Sequence, residues 1–297
     1  MEIRVLRYFL AVVREGSITK AAEQLHITQP TLSRQLAQME ADAGVKLFER
    51  GTRRIILTGE GLLLRRRAEE ILELVDKTER ELAEQDEMVE GTVSIGCGDL
   101  AAVQLLPELI DSFHERYPTV TFDLYTATAD DIQDRMDRGL ADVGLLLEPV
   151  NMDKYDYIRL DKREQWVVIM HPDSPLAKLE RITPQDLKGQ PLILPRRISV
   201  RSELARWFGR DFDKLDVLFT SNLPSSSSVM ARSKLAYSIA IKGSVAFWDE
   251  KNITCRPLSP ELTATSVIAW RRRQPFALAA EKFIEHCKAV LTESHAQ

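Results

Sequence analysis

The sequence predicts an α+β chain in two parts: a small helical N-terminal part ending in a long helix, and a larger α/β part behind it. Three observations predict this. Two short helical patterns meet at a tight corner between Ser17 and Gln38. A proline-free run from Thr58 to about Met88 carries an apolar stripe at helical spacing. From Glu90-Gly91 onward, apolar strand-like runs alternate with helical ones.

The first helix is predicted from Leu6, Phe9, Leu10 and Val13, spaced i, i+3, i+4, i+7. Ser17 is an N-cap for a second helix, with Ile18, Ala21, Ala22 and Leu25 on one face. Small alanines let another helix approach closely. His26 and Ile27 make the corner, where His26 is expected to pack. Thr28 caps a third helix, and Pro30 sits in its first turn, where a missing N–H costs little. Leu32, Leu36, Met39 and Ala43 stack on its inner face. Thr31, Ser33, Arg34 and Gln38 lie off that face and suit base edges and phosphates. An ordinary helical corner with a solvated face is the alternative. The flank GVKLFERGTRRIILT favours the nucleic-acid reading: Phe48 to Arg50 and Ile55 to Thr58 would pair as a two-stranded wing. Arg50, Arg53 and Arg54 cluster at its tip; a solvated turn is the alternative for them.

Met1 to about Arg67 resembles the DNA-binding domain of LysR-type transcriptional regulators. The matching residues are LRYFLAVVREGSITKAAEQLHITQPTLSRQL, the E-x-x-x-GVKLFER segment from Glu40, and LTGEG from Leu57 to Gly61. The resemblance continues more weakly to the C-terminus. It implies that Thr28 to Gln35, including Gln29, opens a recognition helix, and that Arg53 and Arg54 lie in the wing. The domains expected are a winged helix-turn-helix at 1–58, a linker helix at 59–90 and a regulatory domain at 91–297.

Charge agrees with this division. Residues 1–67 carry a net charge of +5 and residues 68–90 a net of −8, against −5 for the chain of 297 residues. The basic charge is thus concentrated where the DNA motif lies. Leu64, Ala68, Ile71, Val75, Thr78 and Leu82 recur with alternating spacings of 4 and 3, a heptad seam with Thr78 as its weak member. Such a helix, about 45 Å long at 1.5 Å per residue, cannot bury its stripe alone. It reads as a dimerising linker, with packing on its own domain as the alternative. Dimers also read paired half-sites.

Behind it, strands are predicted at 93–97, 120–126, 142–147, 166–170, 191–194, 217–220, 236–241 and 265–270. Helices are predicted at 105–117, 129–138, around 202–208, from Ser225, and at 276–291. The alternation argues for mostly parallel sheets, and about 200 residues suffice for two lobes of roughly 100 each. The resemblance implies a two-lobed periplasmic-binding-protein-like α/β fold. Its chain crossings would lie near Leu160 to Arg163 and Thr265 to Val267. Lobe I would be 91–161 with 267–297, and lobe II 162–266.

Ligands in open α/β sheets bind beyond the carboxyl ends of strands, beside helix N-termini. Four such ends stand out. Cys97, Gly98 and Asp99 follow the first strand, and Thr126 and Thr128 the second. Arg196, Arg197, Ser199 and Arg201 follow PLILP; Asn222 and Ser225 begin a serine-rich helix start. The resemblance places effector contacts at these positions. The three arginines and the hydroxyls suggest a small anion or polar carboxylate, whereas Asp99 opposes one unless it caps its helix and points away. For the serine run, a polar turn with an N-cap is the alternative. One departure stands out: in ARSKLAYSIAIKG, Lys234, Ala236 and Lys242 occupy positions where the family commonly has Gly, Gly and Pro.

Other chemistry is not indicated. Cys97, Cys255 and Cys287 are odd in number and far apart, without zinc spacing. Cys97 reads as a small buried or pocket-lining thiol, with a nucleophile or redox sensor as the alternative. His171, in HPDSPLA, reads as structural. No phosphate-loop, nucleophile-elbow or zincin motif occurs, so no metal, cofactor or catalytic residue is assigned. The N-terminus has no signal-peptide pattern and no run approaches the ~20 apolar residues of a membrane span. The expectation is a cytoplasmic, non-enzymatic, sequence-specific transcriptional regulator that binds double-stranded operator or promoter DNA. The resemblance implies a dimer or dimer of dimers (a homotetramer), a small effector between the lobes, and RNA polymerase as a further partner. The competing readings are a cytoplasmic cleft enzyme and a solute-binding protein, with the N-terminal segment serving oligomerisation.

Overall fold

The computed structural model describes residues 2–49, 55–83, 89–245 and 251–293. Contacts divide the chain into two units, Met1–Gln85 and Asp86–Gln297. Among the described residues, no helix is long and apolar enough to cross a membrane.

The first unit is built from α1 (Ile3–Glu15), α2 (Ile18–Gln24), α3 (Gln29–Ala43) and α4 (Gly59–Ala83). α1 turns Val5, Leu6, Phe9 and Val12 inward, while Leu10 and Val13 are only partly buried. Its inner face is therefore rotated slightly from the expected one. Ala21 and Ala22 are buried, as close helix approach requires. On α3, Leu32, Leu36 and Met39 are buried but Ala43 is exposed, because Gly44 ends the helix in left-handed geometry at φ 69° and the core lies behind that turn. His26 is exposed rather than packed, since the corner is made by its own left-handed backbone, φ 54°.

After α3, Phe48 faces Leu57 in an antiparallel bridge. The Glu49 N–H donates to Ile56 O at 2.9 Å and the Thr58 N–H to Leu47 O at 3.1 Å. Glu40 anchors this ribbon: its Oε1 accepts from the Leu47 N–H at 2.8 Å and its Oε2 from Lys46 Nζ at 2.7 Å. Burial opposes ionisation of Glu40, but the bonds from Lys46, Leu47 and Phe48 outweigh it and hold its carboxyl below the ordinary value. A Cβ on Gly61 would lie 2.1 Å from Leu47 O, so only glycine lets α4 start against the ribbon.

α4 has two apolar faces, not one seam. Leu64, Ala68 and Leu72 join the core under α1. Leu62, Leu63, Ile71 and Leu74 are exposed. Thr78 is also exposed, its hydroxyl donating to Leu74 O at 2.8 Å. The predicted stripe therefore mixed the two faces at Ile71; the Leu82 side chain lies outside the described residues. Arg7 on α1 pairs with Asp76 on α4 at 2.6 Å.

The second unit holds a nine-stranded mixed sheet. Its strands are β1 (Gly91–Cys97), β2 (Val120–Thr126), β3 (Val143–Leu147), β4 (Tyr155–Met170), β5 (Leu192–Pro195), β6 (Val217–Ser221), β7 (Tyr237–Ile241), β8 (Thr254–Pro257) and β9 (Thr263–Arg271). The order is β2-β1-β3-β9-β4-β7-β5-β6, with β8 also on β4. The pairs β1–β2, β1–β3, β5–β6 and β5–β7 are parallel. All pairs of β4 and β9 are antiparallel, so the sheet is less parallel than the alternation suggested.

β4 belongs to two halves. Residues 155–159 and 163–165 pair with β9, with an irregularity between Arg159 and Arg163; 166–169 pair with β7. Each half covers its own cores, and we call the two halves lobes. In the first, α5 (Leu106–Arg116), α6 (Ala129–Asp137) and α9 (Leu278–Glu293) flank the sheet, with Phe113 and Phe283 edge to face at 5.2 Å. In the second, α7 (Ile198–Phe208) and α8 (Pro224–Arg232) do so.

At the changeover lies Glu164, fully buried. Its carboxylate accepts from the Ala101 and Ala102 N–H groups at 3.1 and 2.9 Å, and from the Ser266 hydroxyl at 3.0 Å. It thus caps the short 3-10 turn at Ala101–Leu105 and ties both crossing strands together. A Cβ on Gly243 would sit 2.0 Å from the Ala101 nitrogen, so the backbone of the second lobe also closes against this turn. Glu164→Ala leaves three donors without their acceptor, two of them buried, and is expected to cost on the order of 3 kcal/mol, with Glu164→Gln milder; urea unfolding measures both. Equal, negligible losses would show that the carboxylate is not a tie.

Candidate functional site

Each unit presents one candidate surface. In the first, α2 and α3 are set by two side-chain caps. Ser17 Oγ accepts from the Lys20 N–H at 3.4 Å, and Thr28 Oγ1 from the Thr31 N–H at 3.4 Å. The hydroxyls of Thr28 and Thr31 also bond each other at 2.8 Å. With Leu32 and Leu36 anchored in the core, the other face of α3 is turned outward. Gln29, Pro30, Thr31, Arg34 and Gln38 are exposed and Ser33 is half-buried. Gln38 donates to Asp42 at 2.8 Å. Ser17 and Thr28 are thus engaged as caps, and the outward face carries a cation and several hydrogen-bonding groups. Arg50, Arg53 and Arg54 lie outside the described residues.

In the second unit, a cavity of about 590 Å³, including its mouth, opens between the lobes. Gly98, Asp99, Thr128, Arg197 and Asn222 all line it. The other sequence-selected residues do not. Cys97 is buried at the end of β1, with Thr126 Oγ1 4.0 Å from its sulfur. Arg196 is exposed and Arg201 stacks over the Phe212 ring. Ser199 sits half-buried in the first turn of α7. Ser225 is exposed in the first turn of α8.

The polar groups of the cavity are largely engaged. Arg197 reaches across the cleft: Nε donates to Asp130 at 2.8 Å, and its two terminal nitrogens to Leu147 O and Pro149 O at 3.0 and 2.6 Å. Its side chain is only 10% exposed. Asp99 accepts from the Ser225 N–H at 3.3 Å, capping a helix of the opposite lobe rather than its own. The N-cap residue of α8 itself, Leu223, has no polar side chain to do so. Ser227 and Ser228 are buried inside α8, so the serine run is a helix face and not a turn. Thr128 caps α6, bonding Asp131 through both its hydroxyl and the Asp131 N–H.

The walls that sequence reasoning missed are apolar: Leu100, Leu145, Leu147, Trp166, Val200 and Ile241. They sit where strands end or the chain crosses, a signal visible only once the crossing is placed. Burial, and more weakly the Asp99 carboxylate, raise the Cys97 thiol above its ordinary value against the Thr126 hydrogen bond. Cys97 is therefore not poised as a thiolate. His171 accepts from the Asp173 N–H at 3.1 Å within its turn. Lys234 takes φ 60°, the left-handed geometry that glycine favours, so the departure leaves the backbone path intact.

Comparison with known proteins gives concordant matches. Residues 3–62 match the bacterial regulatory helix-turn-helix protein model of the lysR family. Residues 86–292 match the LysR substrate binding domain. The chain is 29% identical over 290 residues to the uncharacterized HTH-type transcriptional regulator YvbU of Bacillus subtilis (strain 168), covering 97% of this chain and 98% of that one. It is 27% identical to the transcriptional activator protein LysR of Escherichia coli (strain K12), covering 98% and 94%. It superposes on the crystal structure of CbnR, a LysR family transcriptional regulator, with a TM-score of 0.74 and 25% identity, covering 98% and 99%. Full-length CbnR complexed with its target DNA gives 0.72, at 25% identity, covering 97% and 99%.

Truncating Arg197 to Ala strands Leu147 O and Pro149 O and is expected to destabilise the second unit by about 1–3 kcal/mol. Arg197→Lys recovers little, because an ammonium cannot reproduce the fork. Chemical unfolding of the full chain checks this; a loss below about 0.5 kcal/mol, within ordinary surface-mutation scatter, would show the clasp to be idle.

Proposed function

The chain belongs to the LysR family of bacterial transcriptional regulators, and we propose how its two candidate surfaces divide the work. It is a DNA-binding regulator with an effector-binding domain, not an enzyme. In our reading, residues 1–58 grip DNA, 59–90 link and dimerise, and 91–297 sense an effector. Lobe I is 91–161 with 267–297, and lobe II is 162–266. Thr31, Ser33, Arg34 and Gln38 reach base edges, with Gln29 and Pro30 at the helix start. Arg50, Arg53 and Arg54 follow the phosphate backbone, and Ser17 and Thr28 hold the corner. The observation that carries this is the outward face of α3, exposed and polar on a unit whose first 67 residues have a net charge of +5.

Self-association brings two reading heads to paired half-sites, and the exposed Leu63, Ile71 and Leu74 of α4 supply an apolar face for it. The protein works in the cytoplasm, where its DNA and RNA polymerase are. An effector seated beside Gly98, Asp99 and Asn222 shifts the balance between lobe arrangements. That changes the spacing of the DNA-binding units in a dimer or tetramer.

Arg34→Ala is expected to reduce discrimination between a duplex enriched by selection and a scrambled one by roughly 5- to 150-fold, the span of about 1–3 kcal/mol. Arg53→Ala is expected to weaken both duplexes alike and to lower the salt slope by about 1. Fluorescence anisotropy across salt concentrations reads both. Equal affinity of the wild type for the two duplexes would sink the sequence-specific reading.

A further inference from the structure

The cleft's chemistry identifies the class of molecule it takes; this rests on the reading of the cleft as the effector site. Two observations bear on it. First, the walls are mainly apolar, with Leu100, Leu145, Leu147, Val200 and Ile241 around the space. Second, its one lining cation is neutralised: Arg197 pairs with Asp130 and two carbonyls, while Asp99 adds a carboxylate to the wall. Arg196 and Arg201 are not among the walls. An anion entering this space would lose its water and meet a carboxylate with no unpaired cation in return. Trp166 adds its ring to the apolar wall, and its indole N–H is buried out of reach of the space.

We propose that the cleft binds an uncharged, predominantly apolar small molecule, whose body lies against the leucines, Val200 and Ile241. Arg197 is a clasp between the lobes and not an anchor for the ligand. Asn222, exposed at the mouth, sets the entrance.

Three probes on one frame test this by calorimetry with the full-length chain: 2-acetylnaphthalene, 2-ethylnaphthalene and 2-naphthoate. They share the two-ring body and differ in a neutral acceptor, no acceptor, and a carboxylate. The expected result is that 2-acetylnaphthalene binds at least about tenfold more tightly than 2-naphthoate. Asn222→Trp, at an exposed position the fold tolerates, should weaken both neutral probes. If 2-naphthoate binds as tightly as the ketone and Asn222→Trp weakens it, the cleft is the site but the ligand class is wrong. If no probe binds, or Asn222→Trp changes nothing, the cleft reading fails and this inference with it.

Discussion

The second unit depends on one buried carboxylate. β4 must serve both halves of the sheet; its ladder with β9 is interrupted between Arg159 and Arg163, and it passes to β7 at Trp166. Glu164 sits between the interruption and that change of partner. It collects two backbone N–H groups from the turn at Ala101–Leu105 and the hydroxyl of Ser266 from the other crossing strand. A carboxylate without bonds at that depth would cost several kcal/mol. With three donors it becomes the fixed point of the crossing. The approach of Gly243 to Ala101 and the reach of Arg197 to Asp130 both follow from where that point holds the lobes.

The cleft formed this way is more a hydrophobic slot than a charged one. Its conspicuous polar residues serve the protein itself: Thr128 caps α6, Asp99 caps α8 across the gap, and Arg197 clasps three acceptors. This division has a physical reason. Polar groups at strand ends and helix starts face orphan backbone donors and acceptors, which claim them before any ligand does. The apolar walls have no such obligations.

The same point explains what the sequence could and could not convey. Ser17 and Thr28 were legible as caps because capping is local, and the outward residues of α3 followed from helical spacing. The strand pattern located the strand ends that supply Gly98, Asp99, Arg197 and Asn222, and the family resemblance places effector contacts there. Residues 155–165 of β4 were missed because YDYIRLDKREQ is charged and exposed along much of its length. It is a strand through its pairing with β9, a long-range fact. Glu164, within that stretch, has no local pattern to mark it as buried. On α4, Ile71 and Leu72 are adjacent in sequence, and only the position of α1 decides that Leu72 turns inward and Ile71 outward. Trp166 read as the first residue of a buried strand; that its N–H lacks a partner depends on every neighbour at once.

The seat of α4 has a mechanical consequence. Gly61 rests where any side chain would collide with Leu47 O, Thr58 Oγ1 accepts from the Gly61 N–H at 3.0 Å, and the Thr58 hydroxyl donates to Lys46 O at 2.6 Å. The helix and the ribbon are therefore keyed together at the root. A twist at the start of α4 thus meets the ribbon at once, at Leu47, Lys46 and Thr58.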